Sequence, residues 1–150
     1  MTVGAFCNRE VVVAPATADI ATIARLMRQH HVGDVIIVDD AGASTVVPRG
    51  ILTDRDIVLE LVAGGVALDR VVAGDVMSRD LVTAHEGDSL WQTLNRMRSF
   101  GIRRLVVVNS AGGLEGILTL DDVIELLADE LSILAKILPS SRTREKGRRA

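Results

Sequence analysis

The sequence has very few aromatic residues and only one cysteine. Phe6, Trp91 and Phe100 are its only aromatic side chains, 2% of 150 residues, whereas apolar residues make up 48%. The core must therefore be aliphatic, and the scarcity of rings disfavours a surface that stacks the bases of single-stranded nucleic acid. Because Cys7 has no second cysteine to pair with, an internal disulfide framework is excluded.

The longest apolar runs are too short to span a bilayer, and the N-terminus lacks the basic and apolar regions of a secretory signal. We therefore expect a cytoplasmic protein without a membrane span. The net charge of −3 gives the body of the chain no attraction for a polyanion such as nucleic acid. Residues 139–150 differ, because they hold five basic residues against one acidic residue, and we expect this basic tail to be disordered.

The sequence carries no motif of a known catalytic centre. It has no Gly-x-Ser-x-Gly, no Cys-x-x-Cys and no phosphate loop that ends in Gly-Lys-Thr. Its three histidines, His30, His31 and His85, lack the paired spacing of a zinc site. We therefore predict that the protein is not an enzyme, holds no metal ion and requires no cofactor.

The chain contains an internal repeat. Gly50–Leu61 (GILTDRDIVLEL) matches Gly116–Leu127 (GILTLDDVIELL) 66 residues later, and Val32–Asp39 matches Ile102–Asn109 70 residues later. The two offsets differ by four residues, which indicates a longer hairpin in the first copy, where an insertion costs little. The repeat predicts two halves of similar structure.

The two halves, residues 5–68 and residues 74–138, share one order of predicted elements: strand, helix, strand, strand, helix. In the first helix Ile20, Ile23 and Met27 recur at steps of three and four, which is typical of a helix with one buried face. Short aliphatic runs bounded by turn residues predict strands, and the alternation places the chain in the α/β class. The predicted strands are Val11–Val13, Val35–Val38 and Val47–Leu52 in the first half, and Leu81–Thr83, Leu105–Val108 and Leu114–Leu118 in the second.

The last predicted helix is longer than its counterpart in the first half. It runs from about Leu120 to Leu138, and we expect Pro139 to end it. Its apolar stripe, with alternating steps of three and four residues, consists of Ile124, Leu127, Leu131, Leu134 and Leu138. This stripe has two interpretations: the helix packs on its own core, or it packs against a partner chain.

The repeated Gly-Ile-Leu-Thr-x-x-Asp motif lies where a strand meets a helix. Thr53 and Asp56, like Thr119 and Asp122, have the spacing of a capping box, in which each side chain accepts from the other residue's amide. The same atoms also suit a ligand, because a helix start attracts phosphate, a hydroxyl donates to it, and a carboxylate accepts from a ribose diol. The motif alone leaves both interpretations open.

Two copies of this motif, each preceded by a helix and an aliphatic strand, resemble the CBS domain family. Asp75–Ser78 (DVMS) also resembles the entry to a CBS repeat, and Ala5–Asn8 (AFCN) lies at the same place before the first copy. The resemblance covers residues 5–138. It implies two β-α-β-β-α repeats packed through their sheets as a pseudo-two-fold module, with two clefts between them. It also implies a homodimer and an adenosine-based ligand such as AMP, ADP, ATP, S-adenosylmethionine or NAD.

The resemblance further implies which residues contact the ligand. In this family the threonine and aspartate of the motif face the phosphate and the ribose, and adenine lies against the preceding strand. The matching positions are Thr53, Asp56, Thr119 and Asp122 for phosphate and ribose, and Val35, Ile36, Leu105 and Val106 for adenine.

The two clefts are not expected to be equivalent. Arg55 in the first motif can bind phosphate, whereas the matching residue of the second motif is Asp121, which repels it. Conversely, Arg104 occupies the position that Asp34 holds in the first half. We therefore hypothesise that one cleft binds a phosphorylated nucleotide well, with Arg55 and Arg104 as candidate ligands, and that the other cleft is weaker or empty.

The predicted function is that of a regulatory module that senses energy state or a metabolite. Binding of the adenosine-based ligand would bias the arrangement of the two repeats and signal to an unknown partner protein. Two alternatives stay open. The protein could be a structural or assembly dimer with vestigial clefts, in which the Thr-x-x-Asp pairs are only helix caps. It could also be a nucleic-acid-associated regulator that acts through its basic tail.

Overall fold

The computed structural model describes residues 1–149, without the side chains at 140, 141 and 149. The first half forms a sheet of β1 (Val13–Pro15), β2 (Asp34–Val38) and β3 (Pro48–Thr53), with β1 parallel and β3 antiparallel to the central β2. Its helices are α1 (Ile20–His30) and the short α2 (Asp54–Asp56). The predicted order of strand, helix, strand, strand, helix is confirmed for this half.

The second half repeats this arrangement after a short connecting helix, α3 (Ala73–Val76). Its sheet has the order β4-β5-β6 with the same parallel and antiparallel pairings. The bounds are β4 (Thr83–His85), α4 (Leu90–Phe100), β5 (Arg104–Val108), β6 (Leu114–Thr119) and α5 (Leu120–Arg149). The predicted α/β class is confirmed, although β1 and β4 each begin two residues later than the apolar runs predicted.

The two sheets pack face to face through the central strands. Ile36 and Val38 of β2 meet Val106 of β5 and Ile117 of β6 in one buried cluster. The other faces of β2 and β5 each join the core of their own half, so both strands are buried on both sides. A strand buried on both faces has a continuous run of aliphatic residues, whereas a strand with one exposed face alternates apolar and polar residues. This explains the aliphatic sequences of β2 and β5.

The helix that closes the first half is much shorter than α5. After α2 the chain forms one wide π-helical turn over Ile57–Val62, in which the amide of Ala63 donates to the carbonyl of Val58 at 2.9 Å. Gly64 follows so close to the carbonyl oxygen of Glu60 that a Cβ atom there would lie 2.3 Å from it. The helical turn ends before the glycine pair Gly64–Gly65.

The segments that precede the two halves are exchanged between them. The N-terminal segment bonds to the second half: the amide of Val3 donates to the Asp88 carbonyl at 2.9 Å, and that of Asn8 to the Ile117 carbonyl at 2.8 Å. The connecting segment bonds to the first half, since the amide of Ser78 donates to the Ile51 carbonyl at 2.9 Å. Each packing unit therefore contains two separate stretches of chain, which the contiguous division into 5–68 and 74–138 does not express.

Helix α5 differs from the expectation at its C-terminal end. The helix continues through Pro139 to Arg149, so the predicted stop at Pro139 is wrong. The predicted disorder of residues 139–150 is also wrong for residues 139–149, which are helical. Proline fixes a φ angle that a helix accepts, and its missing amide costs one hydrogen bond locally. The Thr143 hydroxyl donates to the Pro139 carbonyl at 3.0 Å, which satisfies an acceptor at this point of the helix. Within residues 1–149 no helix combines the length and apolar character that crossing a membrane requires.

The exchange of segments can be tested at Gly116, against which the N-terminal segment packs. A Cβ atom at this position would lie 2.6 Å from the Asn8 carbonyl oxygen and 2.8 Å from the Cys7 sulfur. Because backbone cannot move aside cheaply, Gly116→Ala should lower the free energy of unfolding by about 1–3 kcal/mol in urea denaturation. Gly42→Ala is the control, since its Cβ would meet only the Asp40 carboxylate at 3.4 Å, and should leave stability nearly unchanged. Equal stability of the two variants would contradict the packing.

Candidate functional site

A cleft of about 520 Å³ lies between the two halves, within the usual size range of small-molecule sites, and is called cleft 1. One wall is the end of β3 with the first motif, and the other comes from the second half, at the start of β4 and β5. Its lining residues are Ile51, Thr53, Asp54, Arg55, Ser78, Asp80, Leu81, Val82, Gly101, Ile102, Arg103, Arg104, Leu105 and Val106.

A smaller cleft of 150 Å³, called cleft 2, lies at the pseudo-symmetric position. It joins the second motif to the start of β2 and the segment before β1. Its lining residues are Asn8, Glu10, Val11, Val12, Val32, Gly33, Asp34, Ile117, Thr119 and Asp122. Each cleft therefore takes its motif from one half and its strand start from the other half.

The two motifs are held in place by equivalent backbone bonds. The amide of Asp54 donates to the Gly33 carbonyl at 3.0 Å, and the amide of Leu120 donates to the Arg103 carbonyl at 2.8 Å. Each bond fixes the start of the closing helix beside the start of the central strand in the same half. Residues 33 and 103 correspond by the 70-residue offset, so the same geometry recurs at both clefts.

The first motif forms the complete capping box that its spacing predicts, and the second motif forms one of its two amide bonds. The amide of Asp56 donates to the Thr53 hydroxyl oxygen at 3.1 Å, and the amide of Thr53 donates to the Asp56 carboxylate at 2.9 Å. At the second motif the amide of Asp122 donates to the Thr119 hydroxyl oxygen at 3.1 Å, and that hydroxyl donates to the Asp122 carboxylate. The structural interpretation of the motif therefore applies to both copies.

The start of α2 offers fewer donors to a phosphate than a bare helix terminus would. The amides of Asp54 and Asp56 are bonded as described, and the Arg55 amide donates to the Asp54 carboxylate at 2.8 Å. All three amides of α2 thus have partners, so α2 offers a phosphate in cleft 1 only its side chains.

Of the residues predicted to contact a ligand, some line cleft 1, some line cleft 2 and some line neither cleft. Thr53, Arg55, Arg104, Leu105 and Val106 line cleft 1, and Thr119 and Asp122 line cleft 2. Val35 and Ile36, which the resemblance assigns to adenine, line neither cleft and are 0% exposed. Both lie in strand β2, whose two faces pack into the core of the first half and into the cluster between the sheets, which leaves no face for a ligand. Asp56 is half-buried beside cleft 1 but is not part of its lining.

The clefts differ sharply in charge. Cleft 1 contains three arginines, Arg55, Arg103 and Arg104, against two carboxylates, Asp54 and Asp80. Cleft 2 is lined by three carboxylates and by no Lys or Arg side chain; its acids are Glu10, Asp34 and Asp122. The electrostatic environment therefore favours an anion in cleft 1 over cleft 2; the sequence predicted unequal clefts without indicating which of them is the basic one.

The arginines of cleft 1 are not equally available. Arg103 forms an exposed ion pair with Asp121 at 2.9 Å, and Arg104 pairs with Asp34. Among residues 1–149 no carboxylate lies within ion-pair distance of Arg55. Arg55 is therefore the cation of cleft 1 that can bind an anion without first losing an internal partner.

The pair between Asp34 and Arg104 connects the two clefts. The two residues occupy equivalent positions in the repeat, and their side chains are 17% and 36% exposed. Burial raises the pKa of the Asp34 carboxyl above its ordinary value, the Arg104 guanidinium opposes this shift, and the carboxylates of Asp54 and Asp122 add to it. Asp34 is thus a partly desolvated charge that depends on Arg104 for its counter-charge.

Sequence reasoning missed two parts of the site. It identified the motif of each half but not that each cleft is completed by the segment before the opposite half's first strand, where Ser78, Asp80 and Asn8 lie. It compared Asp34 and Arg104 as equivalent positions without expecting them to touch. The 70-residue offset carried that signal, because equivalent residues near a pseudo-two-fold axis come close to each other. Within residues 1–149 no three His, Cys, Asp or Glu side chains cluster closely enough to hold a metal ion.

The sequence of this chain matches a known family and is similar to known proteins. The profile of the family described as CBS domain matches residues 3–63 and 73–129. The protein MK0525 of Methanopyrus kandleri is 35% identical over 126 residues, which span 84% of this chain and 62% of that protein. This chain therefore accounts for less than two thirds of the length of that relative.

Two solved structures share the fold. The CBS domain protein PAE2072 from Pyrobaculum aerophilum, solved in complex with AMP, is 27% identical with a TM-score of 0.71, over 81% of this chain and 89% of that one. The CBS domain pair of protein MJ0100, solved with 5-methylthioadenosine and S-adenosyl-L-methionine, is 23% identical with a TM-score of 0.73, over 87% of this chain and 98% of that one. The latter similarity concerns the fold alone.

The dependence of Asp34 on Arg104 predicts a pH-dependent loss of stability. In Arg104→Leu the buried carboxylate loses its counter-charge, so at pH 7 the free energy of unfolding should fall by about 1–3 kcal/mol. The folded state, in which the Asp34 pKa is raised, takes up a proton at higher pH than the unfolded chain, whose aspartate titrates near about 3.9. The loss should therefore shrink as the pH falls from 7 towards about 4, in urea denaturation at a series of pH values.

The double variant Asp34→Asn/Arg104→Leu is the matched control for this prediction. It has no carboxylate to protonate, so it should be more stable than Arg104→Leu at pH 7 and should show no narrowing of the difference from the wild type at lower pH. A loss that is equal in both variants at every pH would mean that Arg104 contributes by packing alone.

Proposed function

Because this chain belongs to the CBS domain family, we propose that it is a regulatory module that binds a phosphorylated adenosine ligand in cleft 1 and signals this to a partner protein. The observation that carries the proposal is the composition of cleft 1: three arginines beside an aliphatic wall, in a space of about 520 Å³ between two separately folded sheets. The relative PAE2072, a CBS domain protein solved in complex with AMP, supports the same ligand class.

The aliphatic wall of cleft 1 suits a flat heterocycle. Ile51, Leu81, Val82, Leu105 and Val106 contribute this wall, and Leu105 and Val106 are almost completely buried. A base that stacks there removes apolar surface from water without needing a specific aromatic partner, which this chain lacks. Adenine is therefore proposed to lie against β5 and the segment before β4. It is not proposed to lie beside Val35 and Ile36, which the family resemblance also assigned to adenine.

The phosphate is proposed to bind Arg55 first. Its guanidinium has no internal ion pair to exchange, whereas Arg103 and Arg104 already have carboxylate partners. The hydroxyl of Thr53 accepts from the Asp56 amide, which leaves its own proton free to donate to a phosphate oxygen. Charge-assisted bonds of this kind take the place of the helix amides, which are satisfied within α2.

The ribose is proposed to bind the Asp56 carboxylate, as the family resemblance implies. One oxygen of that carboxylate, Oδ2, accepts from the Thr53 amide, which orients the group and leaves Oδ1 for a ribose hydroxyl. The cap and the ligand site are then one arrangement, because the bond that caps α2 also fixes the carboxylate that the ligand uses.

Cleft 2 is proposed to remain empty of phosphorylated ligands. Its three carboxylates repel phosphate, and no Lys or Arg side chain lines it. In this cleft Thr119 and Asp122 act as the cap of α5.

Signalling is proposed to follow from the two-sided construction of cleft 1. A ligand that contacts Arg55 on one wall and Leu105 on the other binds both halves, so its affinity depends on how the halves are arranged. Such a ligand shifts the population towards the arrangement it binds best, and the partner protein reads that arrangement.

The alternative of an assembly protein is favoured by one observation: the threonine and aspartate of each motif are bonded to each other, as a complete capping box at Thr53 and Asp56 and as a partial one at Thr119 and Asp122. It predicts that no nucleotide changes the stability of the protein. The binding experiment below therefore separates the two functions directly.

Ligand binding can be measured as a change in thermal stability with AMP, ADP, ATP, NAD, S-adenosylmethionine and unphosphorylated adenosine. A ligand at 100 times its dissociation constant should stabilise the protein by about 2.7 kcal/mol. Arg55→Ala should weaken binding of the phosphorylated ligand about tenfold, which corresponds to about 1.4 kcal/mol, and should leave adenosine binding unchanged.

Arg28→Ala is the control, since Arg28 is an exposed arginine of α1 that lies outside both clefts. It should bind every ligand as the wild type does. No stabilisation by any of the ligands would overturn the proposed function in favour of the assembly protein, and equal weakening in both arginine variants would mean that phosphate binding is a general charge effect.

The inequality of the clefts predicts one binding equivalent per chain. Isothermal titration with the best phosphorylated ligand should give a stoichiometry near one, because the carboxylates of cleft 2 repel its phosphate. The double substitution Glu10→Gln/Asp122→Asn removes two of the three carboxylates of cleft 2 without touching the Asp34–Arg104 pair, and should not raise the affinity of the first site. Two equal and independent sites in the wild type would contradict the assignment.

A further inference from the structure

The loop between β2 and β3 reaches across to the second half. Residues 39–47 form this loop, whereas the matching loop between β5 and β6, residues 109–113, is four residues shorter. The amide of Leu114 donates to the Val46 carbonyl at 2.7 Å. A Cβ atom at Gly113 would lie 3.0 Å from the Cγ2 atom of Thr45, so the Thr45 methyl group lies against the second hairpin. The longer loop is therefore bound to the opposite half.

The loop also extends the apolar contact between the two sheets. Val46 and Leu114 are half-buried, and both pack against the buried cluster of Ile36, Val38, Val106 and Ile117. Removing this apolar surface from water adds to the free energy of the backbone bond. Because extra loop length itself costs little entropy, the four added residues give the interface a contact that stabilises it.

At the cleft end, the two halves are joined by the chain itself. The packing units consist of residues 9–78 and of residues 1–8 with 79–149, because the entry segments are exchanged. The chain passes from one unit to the other at Asn8, which borders cleft 2, and at Ser78, which borders cleft 1. These crossings hold the halves together where the central strands begin.

At the hairpin end, no crossing of the chain within residues 1–149 connects the halves. This end lies about 13 Å away, the length of the five-residue strands β2 and β5. Of the backbone hydrogen bonds in residues 1–135 outside the helices and strands, the bond from Leu114 to Val46 is the only one that joins the two units. Without it, side-chain packing alone would hold the hairpin ends together.

We propose that residues 43–46 are a clasp that closes the interface between the sheets at the end opposite the clefts. The chain crossings restrain one end of the interface and the clasp restrains the other, so the two sheets cannot swing apart about the crossings. Because both halves border cleft 1, the clasp also sets the spacing of the walls that a ligand meets there. That consequence rests on the proposed function, whereas the clasp itself does not.

Amide hydrogen exchange, measured by NMR on the protein without ligand, tests the clasp. The Leu114 amide exchanges when the halves separate at the hairpin end. The Asn109 amide donates to the Gly113 carbonyl at 2.9 Å and reports opening of the second hairpin alone. Deletion of residues 43–46 gives the first hairpin the length of the second. It should raise the exchange rate of Leu114 relative to Asn109 by about tenfold or more, as expected for one lost hydrogen bond with its packing.

The substitution Thr45→Gly/Val46→Gly removes the contacts of the clasp at full loop length and should raise the same ratio. Its matched control is Ala41→Gly/Ser44→Gly, which adds two glycines at exposed positions of the same loop. Because the two variants change the flexibility of the unfolded chain equally, the control should leave the ratio within about threefold of the wild type.

Arg104→Leu removes the ion pair at the cleft end and should leave the ratio of Leu114 to Asn109 exchange unchanged, because the chain crossings remain there. If Arg104→Leu raises the ratio as much as the deletion does, the halves separate as a whole and the clasp does not exist. A ratio that stays at the wild-type value in both the deletion and Thr45→Gly/Val46→Gly would also overturn the proposal.

Discussion

The contact between the two sheets at Ile36, Val38, Val106 and Ile117 determines the rest of this structure. It buries most of β2 and β5 on both faces, so these strands can border a ligand only near their starts. The ligand-accessible space is therefore displaced to the strand starts, where Asp34 and Arg104 lie and the apolar contact ends. Both clefts form there, and each one is bounded by residues of both halves because the sheets face each other about a pseudo-two-fold axis.

Similar halves can have different ligands because the backbone and the clefts depend on different residues. The glycine, threonine and aspartate of the repeated motif lie at the strand-to-helix connection, and both copies share the bond from the aspartate amide to the threonine hydroxyl oxygen. The residues that set charge, Arg55 against Asp121 and Arg104 against Asp34, have no part in those caps. They can differ without a change in fold, so one repeated architecture presents a basic cleft and an acidic one.

The sequence predicted the fold well where the pattern is local and repeated. The order of elements and the central strands follow from aliphatic runs and helical spacing. Because the sequence is duplicated, each predicted element is supported by the same pattern in the other half. Relations across the chain were harder to predict. Asn8 bonding to Ile117, or Ser78 to Ile51, has no local signature, because the exchange of entry segments is decided by packing of the two sheets. The prediction that Pro139 ends α5 was wrong, because the local free-energy cost of one proline does not outweigh the helix-forming residues on both sides.

The Asp34–Arg104 pair explains why the three arginines of cleft 1 are not interchangeable. A phosphate can reach Arg104 only by displacing a carboxylate that is more deeply buried than the arginine itself, and the displaced charge would then lack a partner. The cost of that displacement cancels much of the gain, so phosphate affinity depends on Arg55, and Arg104 serves mainly to join β2 to β5. The pair therefore ties the geometry of cleft 1 to the start of β2, which also borders cleft 2. A change in the spacing of the two sheets alters both clefts together, and a ligand bound in cleft 1 resists that change because it contacts both walls.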